Sequence, residues 1–120
     1  MTGLMRLYEF VPEHIDKAYE DVYGWMRDMG MEEEAEAIMD ELPQKLAEHN
    51  PFTGWNGKSF FPDPTDVVID LIYGIAKEKI TAKYPKASFE TSACGYSSYF
   101  KIDTVTYNKA WEEYQRRLAE

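Results

Sequence analysis

His14 and His49 are the only histidines and Cys94 is the only cysteine, so metal-binding and nucleophilic chemistry have few places to begin. The two histidines fall on different predicted helices with no metal-ligand spacing between them. Each sits near a helix end among acids, the setting of a solvated or capping histidine rather than of a ligand or general base. Cys94 falls in a predicted hairpin turn with no sequence-adjacent histidine or cation to activate its thiol. Asp63, Asp66 and Asp70 form a small carboxylate group, and helical spacing puts Asp66 and Asp70 on one face, where a divalent cation could bind. Capping by Asp63 and Asp66, with Asp70 facing solvent, explains the same residues without a metal. HExxH, CxxC, GxSxG and a phosphate-binding glycine loop are all missing, and the lone GWNG is too short to be one. The residue types therefore predict no catalytic group, no metal, no cofactor and no enzyme.

Charge carries more. Residues 1–50 hold 13 Asp or Glu against Arg6, Lys17, Arg27 and Lys45, a net of −9. Residues 51–120 hold nine acids and nine bases, so the entire excess lies in the first two predicted helices. Glu20, Asp21 and Asp28 on the first, and Glu32, Glu33, Glu34, Glu36, Asp40 and Glu41 on the second, are the candidate contact residues. A field of that sign repels nucleic acid and anionic membranes and attracts basic protein surfaces. A solvated face that keeps the protein in solution is the competing explanation. Large rings at Trp55, Phe61 and Tyr99 are the candidate anchors for such a contact, or else core residues.

These residues must be positioned by elements that the hydrophobic pattern makes visible. At 120 residues the prior is one domain, and 44% hydrophobic with 15% aromatic residues argues against disorder. No apolar run reaches the length of a membrane span, and MTGLMRLYEF lacks the apolar region of a signal peptide, which predicts a cytoplasmic protein. Residues 4–11 read as a short strand. Pro12 opens a helix with Ile15, Tyr19, Val22, Met26 and Met29 on one side, Ala18 and Trp25 flanking them, and Gly30 as its stop. A second helix begins at Met31, buries Ala35, Ile38, Met39, Leu42 and Leu46, and should kink or split at Pro43. The short link makes the pair, 12–49, an antiparallel acidic hairpin.

Residues 50–64 have no helical period and carry Phe52, Trp55, Phe60 and Phe61, an aromatic loop long enough to be functional. Residues 64–84 follow as a largely buried helix with a narrow polar arc through Asp66, Asp70, Lys77 and Glu78, in which Leu71, Ile72 and Ile75 should be almost fully buried. A hairpin over 87–103, with its turn at Cys94-Gly95, pairs Phe89 with Phe100 and leaves Tyr99 on the outer face. A turn at Gly95-Tyr96 keeps the same faces. The last helix, 104–119, is capped by Asp103 or Thr104 and turns Tyr107, Ala110, Trp111, Tyr114 and Leu118 inward, with Glu112–Arg116 and Glu113–Arg117 as ion pairs.

The expected fold is a small α+β domain of four helices and a small antiparallel sheet built on the C-terminal-half hairpin. The expected function is an acidic protein-binding module, an inhibitor that docks on the basic, nucleic-acid-binding surface of a partner protein and itself touches neither nucleic acid nor membrane. In size, acidity, aromatic content and lack of catalytic motifs the chain resembles phage anti-restriction and anti-CRISPR proteins and immunity proteins against nuclease toxins. That is a likeness of composition. Two alternatives stand beside it: a small enzyme or ligand-binding domain with a pocket under the 52–61 loop, and an accessory subunit that self-associates through the outer sheet face.

Overall fold

Proline at the first helical position loses only an N–H that would have gone unpaired, and Pro12 opens helix α1 (Pro12–Asp28). The computed structural model describes residues 12–49 and 64–120. The strand expected at 4–11, the aromatic loop with Trp55 and Phe61, and the Asp63 cap all lie outside the described residues. Along α1 the apolar stripe turns inward, and Ala18, Val22, Met26 and the following Met29 are fully buried. Gly30 takes φ 76°, so that its own N–H reaches the Arg27 carbonyl at 3.0 Å and the Met31 N–H reaches that of Met26 at 2.8 Å. This pair of bonds satisfies the last carbonyls of the helix and reverses the chain.

Helix α2 (Glu32–His49) returns beside α1, and the Tyr19 hydroxyl donates to the Ala35 carbonyl at 3.0 Å across the hairpin. The expected split at Pro43 does not occur: α2 runs through it unbroken. Pro43 is exposed, while Leu42 is buried before it and Leu46 half-buried after it. Lys79–Glu41 and Lys45–Glu78 pairs tie both sides of the proline to the next helix. Packing on either flank outweighs one missing backbone bond. Met39, expected inward, is exposed.

Helix α3 (Pro64–Lys83) is the centre of the molecule and packs on both α1 and α2. Val68, Ile69, Ile72, Tyr73, Ile75, Ala76 and Ile80 are buried. Leu71 is only half-buried, because it shares a flank with Val67, Gly74 and Glu78 at the edge of the buried arc. The helix stops before Tyr84, which precedes a proline and is itself buried.

Strands β1 (Phe89–Ser92) and β2 (Tyr99–Ile102) pair antiparallel with Phe89 opposite Ile102 and Thr91 opposite Phe100. The register is thus the one that a turn at Gly95-Tyr96 gives, two residues away from the pairing of Phe89 with Phe100. Instead of a two-residue turn at Cys94-Gly95, a 3₁₀ turn over Gly95–Ser97 links the strands. Ser98 stitches it, its hydroxyl accepting from the Cys94 N–H at 3.0 Å and donating to the Gly95 carbonyl at 2.6 Å. A slip of two leaves every side chain on its face, so Phe100 and Ile102 are buried and Tyr99 is exposed, as the alternation requires.

Asp103 then caps helix α4 (Thr104–Leu118), accepting from the Thr106 N–H at 3.0 Å and, with its other oxygen, from the Ser88 N–H at 2.9 Å. Those two backbone donors, Ser88 first, hold its carboxyl below the usual carboxylate range. The inner side of α4 is Thr106 and Ala110, with Tyr107 and Tyr114 half-buried. Trp111 and Leu118, expected inside, are 42% and 61% exposed, because α4 leans on α1 over a narrow strip only. The expected Glu112–Arg116 and Glu113–Arg117 pairs are not among the ion pairs of the described residues. Glu113 accepts instead from the Tyr84 hydroxyl at 3.1 Å, and the Arg117 guanidinium lies over the Tyr114 ring.

The described residues therefore form an α+β fold of four helices and a two-stranded antiparallel sheet on a C-terminal-half hairpin. None of the described helices is long and apolar enough to cross a membrane.

Candidate partner-binding face

Amphipathic α1 must present its polar side to solvent, and that side carries Asp16 and Glu20 exposed with Asp21 and Asp28 half-buried. Alongside runs a stripe of α2 residues at i, i+4 spacing, Glu32, Glu36 and Asp40, with Glu33 next to it, all exposed. Tyr19 and Tyr23 of α1 bridge the two. The Tyr23 hydroxyl donates to the Glu32 carboxylate, and this bond above all pushes its pKa up to about 12. Burial first, then the charges of Glu36 and Asp40, raise that of Tyr19. The α2 acids thus flank the Tyr19–Tyr23 side of α1, beside Asp16 and Glu20.

Two open grooves lie along α1, one on either side of Glu20 and Gly24. One, about 480 Å³, runs between Tyr19, Tyr23 and Arg27. The other, about 420 Å³, lies between α1, the end of β2 and the start of α4, with Trp25 and Tyr107 in its wall and Glu20, Asp21 and Asp28 around it. Glu20 and Gly24 line both. The rings of Trp25 and Tyr107 meet edge to face at 5.0 Å, Trp111 stacks on Tyr107 at 6.4 Å, and the Tyr107 hydroxyl is held by Asp28 at 3.0 Å. Burial first and that bond second raise the Tyr107 pKa. A β-carbon added at Gly24 would meet nothing within 4 Å. Glycine inside a helix destabilises it by about 1 kcal/mol relative to alanine, and no packing within the described residues accounts for it here.

Only part of the negative charge is balanced internally. Asp21 pairs with Lys17 at 3.6 Å, Asp28 with Arg27 at 3.6 Å, and Glu41 with Lys79 on the α3 side. Glu20, Glu33, Glu36 and Asp40 enter no ion pair among the described residues. Of the residues singled out by sequence, the structure brings together Glu32, Glu33, Glu36 and Asp40 on the Tyr19–Tyr23 side of α1 with Glu20 beside them, while Asp21 and Asp28 line the opposite flank of α1, toward β2 and α4. Helical geometry puts Glu34 and Glu41 on the other flank of α2. Tyr99 stands elsewhere, on the outer sheet face with Lys101 over its ring.

Asp66, read as a capping acid, accepts from the Gly95 N–H at 2.9 Å and so holds the 3₁₀ turn against α3. Among the described residues no three His, Cys, Asp or Glu side chains gather as a metal site. Cys94 is exposed and free. Carboxylates beside aromatic faces can bind cations. Reading the sequence missed Gly24, Trp25 and Tyr107 as residues that line a groove. A glycine midway along a well-patterned helix, in VYGWM, was the available signal. No family model, curated protein or solved structure matches the chain.

Proposed function

We propose that this protein is an acidic binding module that lays the outer face of its α1–α2 hairpin on the basic, nucleic-acid-binding surface of a partner protein and inhibits it. The supporting observation is the set of exposed carboxylates, Glu20, Glu33, Glu36 and Asp40, that the described residues leave without ion pairs on one face. Like charges left unpaired repel one another, and a basic partner relieves that repulsion while its encounter is steered by the field. Nuclease-directed inhibitors of the anti-restriction, anti-CRISPR or toxin-immunity kind are the class this arrangement fits best.

The test compares capture from the native host by the wild-type chain and by a variant with Glu20, Glu33, Glu36 and Asp40 changed to lysine. Proteins retained by the wild type alone should bind nucleic acid, and excess duplex DNA or RNA should displace them. Identical capture by both chains, undisturbed by nucleic acid, would overturn the reading.

A further inference from the structure

The groove between α1, β2 and α4 combines features that the acidic face as a whole does not have. Its wall is the edge-to-face pair Trp25 and Tyr107, both half-buried. Its three carboxylates differ in what they are free to do. Asp21 is paired with Lys17, and Asp28 is held by the Tyr107 hydroxyl. Glu20 has no hydrogen bond or ion pair among the described residues and is exposed. Between Glu20 and the rings lies Gly24, where open space reaches the helix backbone.

Resting on the reading above of a basic partner, we infer that this groove receives an arginine side chain of that partner, its guanidinium plane on the aromatic wall and its fork on Glu20. Charge complementarity selects a cation. The aromatic wall and a free carboxylate select arginine over lysine, because a guanidinium stacks on rings and binds a carboxylate through two parallel bonds, while an ammonium remains a strongly hydrated point charge. Gly24 then has a role that packing does not give it, since a side chain there would fill the space the arginine stem needs.

Titrating the labelled protein with a six-arginine and a six-lysine peptide at equal, low salt, followed by NMR, tests this. The arginine peptide should bind about tenfold more tightly, the size of effect one stacked and forked contact supplies. The Trp25 indole and the Gly24 and Tyr107 amides should move with arginine and not with lysine. Gly24→Gln, which fills open space and changes no charge, should fold normally by circular dichroism, remove the arginine advantage and leave lysine-peptide affinity as it was. Equal affinities, or shifts confined to α2, would overturn the arginine groove and leave the charge reading standing. No binding of either peptide would overturn both.

Discussion

Tyr73 lies at the centre of the core with its hydroxyl fully buried and without a hydrogen bond among the described residues. The Ser98 hydroxyl, which pulls its pKa downward, already gives its proton to the Gly95 carbonyl. Burial first and the Asp21 charge second push that pKa up to about 12, and burial does the same for Tyr84. A raised tyrosine pKa means the fold favours the neutral phenol. That stability is complete below the unfolded value of about 10 and is lost as pH rises from there toward 12. Tyr73→Phe removes an unsatisfied buried hydroxyl, so it should leave stability at pH 8 unchanged or raise it by about 1 kcal/mol. It should also flatten the alkaline loss of stability, which urea unfolding at pH 8 and 11 measures. A loss of several kcal/mol at pH 8 would show that the hydroxyl is bonded after all. Gly30 is the second residue with a sharp expectation. A β-carbon there would lie 2.7 Å from Tyr114 Cδ1 and 2.6 Å from Arg117 Nη2, at a φ that side chains resist. Gly30→Ala should cost about 1–2 kcal/mol from handedness alone, and more if the Tyr114 ring cannot move. A thermal melt unchanged by it would mean that α4 does not rest on the α1–α2 turn.

At the level of elements, α3 organises the rest because, among the described elements, it packs broadly on both helices of the hairpin. Ile72→Ala, at a fully buried position of α3, should therefore destabilise by about 2–5 kcal/mol in chemical unfolding. An unchanged midpoint would make α3 peripheral. Its burial was legible in the sequence because apolar residues cover most of its circumference, a pattern that packing on several sides satisfies. The faces of the hairpin were legible for a similar reason, since alternation fixes the face but not the register. Register depended on where the turn falls, and between the two placements that keep the faces the structure takes the pairing of a turn at Gly95-Tyr96, closed by the Ser98 hydroxyl. Pro43 does not split α2 because the packing of Leu42 and Leu46 carries the helix through it, which a local rule does not register. Trp111 and Leu118 were misread because periodicity says which residues share a helix face and not how far along that face a neighbour extends. The acids of the candidate site were plain from composition. The groove beside them was not, because it is made by α1, β2 and α4 coming together, and only Gly24 hinted at it.

Across the whole molecule the charge is segregated. The excess of nine negative charges sits on α1 and α2, while Lys83, Lys86 and Lys109 line one groove near the end of α3 and Lys83, Arg116 and Arg117 another. Exposed charges contribute little to stability, so this distribution is poorly explained as a device for holding the fold. It is well suited to orienting the protein as it meets a partner, which places the effect in the association rate. Reversal of Glu20, Glu33, Glu36 and Asp40 to lysine should accordingly leave the melting temperature nearly unchanged. The most direct measurement is the association rate with a partner recovered by capture, taken across salt concentrations on either side of the physiological value, for the wild type and the four-residue variant. The rate for the wild type should fall steeply as salt rises, where the Debye length shrinks below about 10 Å, and the variant should associate far more slowly at low salt. A rate independent of salt, and equal in the two proteins, would contradict the account and leave the acidic hairpin a solvated surface.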